Sequence, residues 1–166
     1  MLKTIPRTSI IGFIIGVLPG AGATIASFLA YGMERNLVRD EEKEKFGKGS
    51  VNGLSAPETA NNAACSGSFV PMLTLGIPGS GTTAVMLGAL LGFGIQPGPR
   101  LYMTNPEIFW SVIMSMYIGM VILLILNLPL IPYIARILAV PKNYLIPLIL
   151  FFSITGIYVM SFNNFD

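Results

Sequence analysis

The stretch Pro19-Gly20-Ala21-Gly22-Ala23-Thr24 is a helix-breaking hexapeptide within apolar sequence, and it returns in altered form as Pro78-Gly79-Ser80-Gly81-Thr82-Thr83. Proline removes a backbone donor and glycine adopts nearly any backbone conformation, so each copy predicts an interrupted helix. In lipid, an interrupted backbone is tolerated only where it is buried in protein or lines a cavity. Paired interruptions in corresponding apolar segments therefore indicate a transporter binding site.

The composition of the chain is that of a membrane protein. Hydrophobic residues make up 53% of the sequence, charged residues make up 11%, and the mean hydropathy is +0.71. Soluble domains carry about 25% charged residues. The net charge of +2 is too small to indicate nucleic-acid binding. A single cysteine excludes an internal disulfide, and the absence of histidine excludes a histidine-based metal site and an imidazole base.

These features predict an all-α membrane protein that forms a single membrane domain over residues 1–166, with transmembrane helices and broken or re-entrant helical hairpins that have Pro-Gly tips. Residues 8–32 fit either one interrupted crossing or a re-entrant hairpin, and the basic residues at both ends favour the hairpin. Residues 107–131 and 144–162 are predicted spanning helices, the first ending at Pro129 and Pro132. Glu107 is expected in the first turn of its helix.

Two polar segments interrupt the apolar sequence. Residues 34–48 carry five acidic and five basic residues, which predicts a solvated cytoplasmic loop with a helix stabilised by Glu41 and Lys45. Residues 55–58 are typical of a helix start, with Ser55 as the cap, Pro57 in the first turn and Glu58 near the positive end of the dipole.

The candidate substrate site combines the two interrupted helices with the polar segment after Glu58. Broken helices present N–H groups to anions and C=O groups to cations, and the hydroxyl and amide side chains add hydrogen bonds. The candidate substrate-binding residues are Gly20, Ala21, Gly22, Ala23, Thr24, Asn61, Asn62, Gly79, Ser80, Gly81, Thr82 and Thr83. Neither hexapeptide has the lysine that a nucleotide-binding phosphate loop requires.

Glu58 is the candidate ion-coupling residue, because an ionisable group at membrane depth is a functional candidate by default. On a helix it would share a face with Asn61 and Asn62. The alternative is that Glu58 only caps a helix at the membrane interface. Helix packing is the alternative for glycines at small-xxx-small spacing, and Gly12, Gly88 and Gly92 are assigned to it.

Several ordered motifs make the chain similar to a known family. They resemble the large permease subunit of the tripartite tricarboxylate transporters, which is the TctA-like family. The motifs lie at residues 16–24, 28–32, 46–49, 56–64, 71–80 and 94–99.

The resemblance implies a multi-pass permease of the bacterial inner membrane that works with a small membrane subunit and a periplasmic solute-binding protein. It implies uptake of a carboxylate such as citrate, driven by a Na⁺ or H⁺ gradient, with no enzymatic chemistry and no other cofactor. The sequence is expected to be a fragment of the C-terminal half of such a permease. The alternative function is a non-transporting membrane scaffold whose glycine motifs are helix-packing surfaces.

Overall fold

The structure is a computed structural model that describes residues 2–137 and 141–160. Every regular element in these two ranges is helical, which confirms the all-α prediction. The chain divides into two compact units, Met1–Val112 and Ile113–Asp166. The helices are α1 (Thr4–Val17), α2 (Gly22–Leu37), α3 (Asp40–Lys43), α4 (Val51–Gly67), α5 (Phe69–Leu75), α6 (Gly81–Gly92), α7 (Leu101–Thr104), α8 (Pro106–Ile137) and α9 (Lys142–Met160).

Helices α1 and α2 form an antiparallel hairpin. The Thr4 hydroxyl at the start of α1 donates to Glu34 Oε1 near the end of α2 over 2.8 Å. The short connection at residues 18–21 therefore lies at the tip of the hairpin, where the first Pro-Gly motif occurs. The two halves of the first apolar segment fold back on each other and do not continue as one span.

Helix α4 runs parallel to α1 and touches its backbone. A Cβ placed on Gly12 would lie 2.3 Å from the Ala60 carbonyl oxygen, and one on Gly16 would lie 2.2 Å from that of Ala64. Only a residue without a side chain allows so close an approach, so the packing role of Gly12 is confirmed. For Gly88 and Gly92 packing stays a prediction, because a Cβ on either would meet no described atom within 4 Å.

The core of the three-helix group consists largely of alanine. Ala26 and Ala30 of α2 are fully buried with Ala60 and Ala64 of α4, and Ile15 of α1 packs against them. The four-residue spacing places each pair on one face of its helix. Small side chains bury little apolar area, so close contact between the helices supplies much of the attraction.

Helix α4 begins earlier than the sequence indicates. Its cap is Ser50, whose hydroxyl accepts a 3.0 Å hydrogen bond from the Gly53 N–H, so the prediction of a start at Ser55 is wrong. Pro57 therefore lies inside the helix. Its own carbonyl accepts a 3.2 Å hydrogen bond from the Ser27 hydroxyl of α2. This contact ties the middle of α4 to α2.

The charged segment at residues 34–48 is more ordered than a solvated loop. Its first residue, Glu34, belongs to α2 and is 1% exposed. Phe46 is buried with its ring centroid 5.3 Å from that of Tyr31, which anchors the segment to α2. Lys45 pairs with Glu42 over 3.3 Å, whereas the sequence predicts a pair with Glu41.

Helix α8 continues through both of its prolines to Ile137, so the predicted end at Pro129 and Pro132 is wrong. Membrane helices tolerate proline where other contacts satisfy the freed carbonyls. Glu107 lies in the first turn of α8, as predicted. Among the described residues, the stretch Pro106–Arg136 alone is long and apolar enough to cross a membrane. Helix α9 covers most of the predicted final span, whose residues 161–162 lie outside the described part.

Candidate functional site

The first break comprises residues 18–21, between α1 and α2. Gly20 and Gly22 flank its end with φ angles of 83° and 69°, in the left-handed region that favours glycine. A Cβ on either would meet no described atom within 4 Å. Glycine is therefore required at these two positions for the backbone torsion angles and not for close packing. The break is solvent-exposed at Leu18, Pro19 and Gly20.

The helix that follows the first break begins without a side-chain cap. Its N-cap residue, Ala21, has no side-chain acceptor. Within the described residues, the N–H groups of Gly22, Ala23 and Thr24 donate to no acceptor. Unsatisfied N–H groups and the helix dipole together give this terminus a partial positive charge. The Thr24 side chain is exposed beside them. The start of α2 is therefore an uncapped helix terminus with a partial positive charge.

The second break comprises residues 76–80, between α5 and α6. Ser80 and Thr83 form a capping box, in which Thr83 N–H donates to Ser80 Oγ over 3.2 Å and Ser80 N–H donates to Thr83 Oγ1 over 2.8 Å. Thr83 is fully buried. The hydroxyl groups of both residues are therefore used within the helix cap, and Gly81 and Thr82 are the exposed residues of this motif.

Replacing Ser80 with alanine should destabilise the protein by about 1 kcal/mol, because the Thr83 N–H loses its acceptor. Ser66→Ala in α4 is the matched control, since the Ser66 hydroxyl bonds only the Asn62 carbonyl of its own helix. We expect the control to change stability by less than about 0.5 kcal/mol. Thermal unfolding of the detergent-solubilised variants measures the difference. Equal unfolding temperatures for the two variants would contradict the cap.

The second break lies against the end of the helix that enters the first break. A Cβ built on Gly79 would lie 2.9 Å from Ser68 Cβ and 3.4 Å from the Gly16 carbonyl oxygen. Gly16 is in the last turn of α1, and Ser68 follows the last residue of α4. The two breaks are therefore brought to the same end of the group formed by α1, α2 and α4.

Asn61 lies on the side of α4 that faces α2. Its amide Nδ2 is 3.3 Å from the Ser27 hydroxyl, and its Oδ1 is 3.8 Å from Cys65 Sγ. Ser27 lies in the second turn of α2, a short distance along the helix from the open terminus. The structure thus places Asn61 beside α2, where it links the two helices.

Glu58 and Asn62 are exposed on α4, whereas Asn61 is partly buried beside α2. The Asn62 amide donates to the Glu58 backbone carbonyl over 3.1 Å. The Glu58 carboxylate makes no hydrogen bond or ion pair with the described part of the chain. Within the described part of the chain, neither amide bonds the Glu58 carboxylate, because Asn61 bonds Ser27 of α2 and Asn62 bonds the Glu58 backbone carbonyl.

These observations place two broken helices and a polar helix at one end of a small-residue bundle. The sequence matches the family described as "Tripartite tricarboxylate transporter TctA family" over residues 1–166. The chain belongs to the TctA family. The family resemblance carried by the motifs is thereby confirmed.

Two relatives of this TctA-family chain come from Agrobacterium vitis. One, named "Uncharacterized 52.8 kDa protein in TAR-I ttuC' 3'region", is 46% identical over 96% of this chain and 32% of the relative. The other, named "Uncharacterized protein in TAR-II ttuC' 3'region", is 44% identical over 93% of this chain and 63% of the relative. The chain thus spans about a third of one relative and somewhat under two thirds of the other. No solved structure matches it.

The structure of this TctA-family chain also reveals a polar cluster that the sequence interpretation missed. Buried Glu34 accepts from the Thr4 hydroxyl and forms an ion pair with Arg7, which joins the free ends of α1 and α2. The sequence placed Glu34 in a solvated loop. The spacing of Glu34 indicates its burial. Glu34 follows Ala30 by four residues and Ala26 by eight, so all three lie on the buried face of α2.

Proposed function

We propose that this chain is part of the membrane permease of a tripartite, ion-gradient-driven carboxylate uptake transporter, with a tricarboxylate such as citrate as the substrate class. The observation that carries the proposal is the contact of Gly79 with Gly16 and Ser68, which brings the second break to the tip of the α1–α2 hairpin. Two broken helices in one place supply opposed backbone dipoles for an anion and a cation. TctA-family membership supports the substrate class.

The substrate carboxylate binds at the open start of α2. The unsatisfied N–H groups of Gly22, Ala23 and Thr24 point into this terminus, and the Thr24 hydroxyl stands beside them. No basic residue lies between Arg7 and Arg35 or between Lys48 and Arg100, so backbone dipoles replace side-chain cations at both breaks. Gly81 and Thr82 complete it from the second break, while Ser80 and Thr83 hold that break in shape.

Glu58 is the proposed residue for the coupling cation, Na⁺ or H⁺. Its carboxylate is exposed and unpaired within the described residues, so it is available to a cation. Asn61 holds α2 in place at the substrate site through its hydrogen bond with Ser27, and Asn62 lies beside Glu58. The α1–α2 hairpin is re-entrant, and residues 39–48 face the cytoplasm. The chain resides in the bacterial inner membrane as a multi-pass protein, together with a small membrane subunit and a periplasmic solute-binding protein.

Replacing Ala23 with proline tests the anion site, because it removes one free N–H from the first turn of α2, where proline is tolerated. We expect the KM for citrate to rise about 10- to 100-fold, because the substrate carboxylate loses one hydrogen bond and a hydrogen bond to a charged group has a free energy of this size. The measurement is citrate uptake under an imposed Na⁺ or H⁺ gradient, in proteoliposomes that contain the assembled transporter.

The matched control is Val51→Pro, a first-turn change in α4, where the side chain is exposed. We expect it to leave KM unchanged. An unchanged KM in Ala23→Pro would remove α2 from the substrate site. A scaffold function predicts a different result, in which glycine-to-alanine changes reduce subunit association and no variant alters ligand affinity in the assembled complex.

A further inference from the structure

One side of α4 carries polar side chains that the described helices leave uncovered, and we name it the open face and define it as Glu58, Asn62 and Cys65. All three residues are exposed. Their spacing of four and three residues places them on one side of the helix. The alanines that pack against the α1–α2 hairpin, Ala60 and Ala64, lie on the opposite side. The open face is therefore not part of the small-residue packing of α4.

The open face lies at the same level along the bundle as exposed apolar surface. The contact between Gly12 and Ala60 sets the register of the two parallel helices α1 and α4. Two residues before this contact, Glu58 lies level with Ile10, whose side chain is 62% exposed. In a membrane permease, exposed isoleucine suits lipid, whereas a carboxylate at the same depth faces the protein interior or a water-filled cavity.

The charge of the open face suits a cation. An ionised carboxylate away from bulk water needs a counter-charge or bound water. Within the described residues, the Glu58 carboxylate has no hydrogen bond and no ion pair. No basic residue lies between Lys48 and Arg100 in the sequence. The open face therefore combines one negative charge with neutral polar groups, which attracts a hydrated cation and repels a free carboxylate.

We propose that the open face lines an aqueous path by which the coupling cation reaches Glu58 from the end of α4 that carries the breaks. Cys65 and Asn62 lie between that end and Glu58. Beyond Glu58, the exposed side chains on the same side of α4 are Leu54 and Val51, which offer a cation no oxygen ligand. The polar lining therefore ends at Glu58. This inference rests on the proposed transport function and adds a route for its cation.

The native thiol of Cys65 tests whether the open face is in water. The assembled transporter in open membrane fragments is treated with charged thiosulfonate reagents, and labelling of the Cys65 peptide is followed by mass spectrometry. The thiolate is the reactive form of a thiol, and lipid disfavours it. Cys65 should therefore react at least about 10-fold faster than the thiol of Leu29→Cys in a Cys65→Ser background. Leu29 is the matched control, because its side chain is 54% exposed on α2 among apolar neighbours.

The charge of the path is tested by comparing a trimethylammonium reagent with a sulfonate reagent. Each rate at Cys65 is divided by the rate of the same reagent with a free thiol in solution. Glu58 and Cys65 are seven residues apart on α4, or about 10 Å. At this distance in water, one negative charge speeds the cation and slows the anion about twofold each, so the cation should be favoured about fourfold at low ionic strength.

Two carboxylate substitutions decide whether this preference comes from Glu58. Glu58→Gln should abolish the preference for the cationic reagent at Cys65. Glu41→Gln removes an exposed carboxylate from α3 and should leave the preference unchanged. The same preference in the wild type and in Glu58→Gln would overturn the assignment of the path to a cation.

The labelling of Cys65 and the uptake of citrate fail separately. Equal labelling rates for Cys65 and for the thiol of Leu29→Cys would overturn the aqueous path, even where citrate uptake is normal. If the wild-type transporter moves no carboxylate, the proposed transport function fails. The labelling rates then still decide whether the open face is in water and whether Glu58 attracts cations to it.

Discussion

Replacing Gly16 with alanine should destabilise the protein by about 3 kcal/mol, at the upper end for overpacking a dense contact. The new Cβ would lie 2.2 Å from the Ala64 carbonyl oxygen and 2.6 Å from Ala64 Cα. Both are backbone atoms, so no side chain can move aside, and α1 must separate from α4. Thermal unfolding of the detergent-solubilised chain measures the loss, and we expect a large drop in the unfolding temperature.

The same substitution at Gly32 is the matched control. Gly32 also lies within a helix, and a Cβ there would meet no described atom within 4 Å. Alanine is favoured over glycine in a helix by up to about 1 kcal/mol, so Gly32→Ala should stabilise the protein slightly. The changes in stability caused by the two substitutions should therefore have opposite signs. If Gly16→Ala unfolds at the wild-type temperature, the backbones of α1 and α4 are not in contact.

Replacing Arg7 with methionine should destabilise the protein by about 1–3 kcal/mol, because the buried Glu34 carboxylate loses its charged partner while Arg7 itself is 35% exposed. Methionine keeps much of the length of the side chain, but Glu34 would remain 1% exposed without its counter-charge. Lys45→Met breaks the exposed pair with Glu42 and should cost less than about 1 kcal/mol. Thermal unfolding of both variants compares a pair whose carboxylate is buried with a pair whose two partners are exposed.

The double variant Arg7→Met/Glu34→Met separates the cost of an unpaired charge from the value of the pair. Replacing a whole buried ion pair with apolar residues is often neutral or stabilising. We expect the double variant to recover most of the stability that Arg7→Met loses. A double variant less stable than Arg7→Met would show that the unpaired carboxylate is not the source of the loss.

The features that the sequence predicts well are local ones. The Pro-Gly motifs interrupt helices because of backbone chemistry within six residues, and both interruptions occur where predicted. The small-xxx-small spacing predicts a packing role for Gly12, since a bare helix face needs a close partner. The partner of Gly12 is Ala60, because α1 and α4 are parallel. The local spacing of small residues does not predict this arrangement of the two helices.

The features that the sequence predicts wrongly depend on contacts between residues that are far apart in the chain. In the sequence, Glu34 lies next to a charged segment. In the structure, its side chain forms an ion pair with Arg7, which is 27 residues away. Pro57 is typical of a helix start, yet Ser50 caps α4 and Ser27 bonds the Pro57 carbonyl. The two predicted amides have different partners for the same reason. Asn61 and Asn62 are neighbours in sequence, but only Asn61 faces α2.

The two hexapeptides are repeats in the sequence but not equivalents in space. Gly20 has a left-handed backbone and no near neighbour, whereas the corresponding Gly79 is buried against Ser68. The first glycine is required for its torsion angles and the second for its lack of volume. Asparagine, which tolerates the left-handed region, suits Gly20 and is too large for Gly79. A repeated motif can thus encode two unrelated constraints, and the tolerance of one copy to substitution does not predict that of the other.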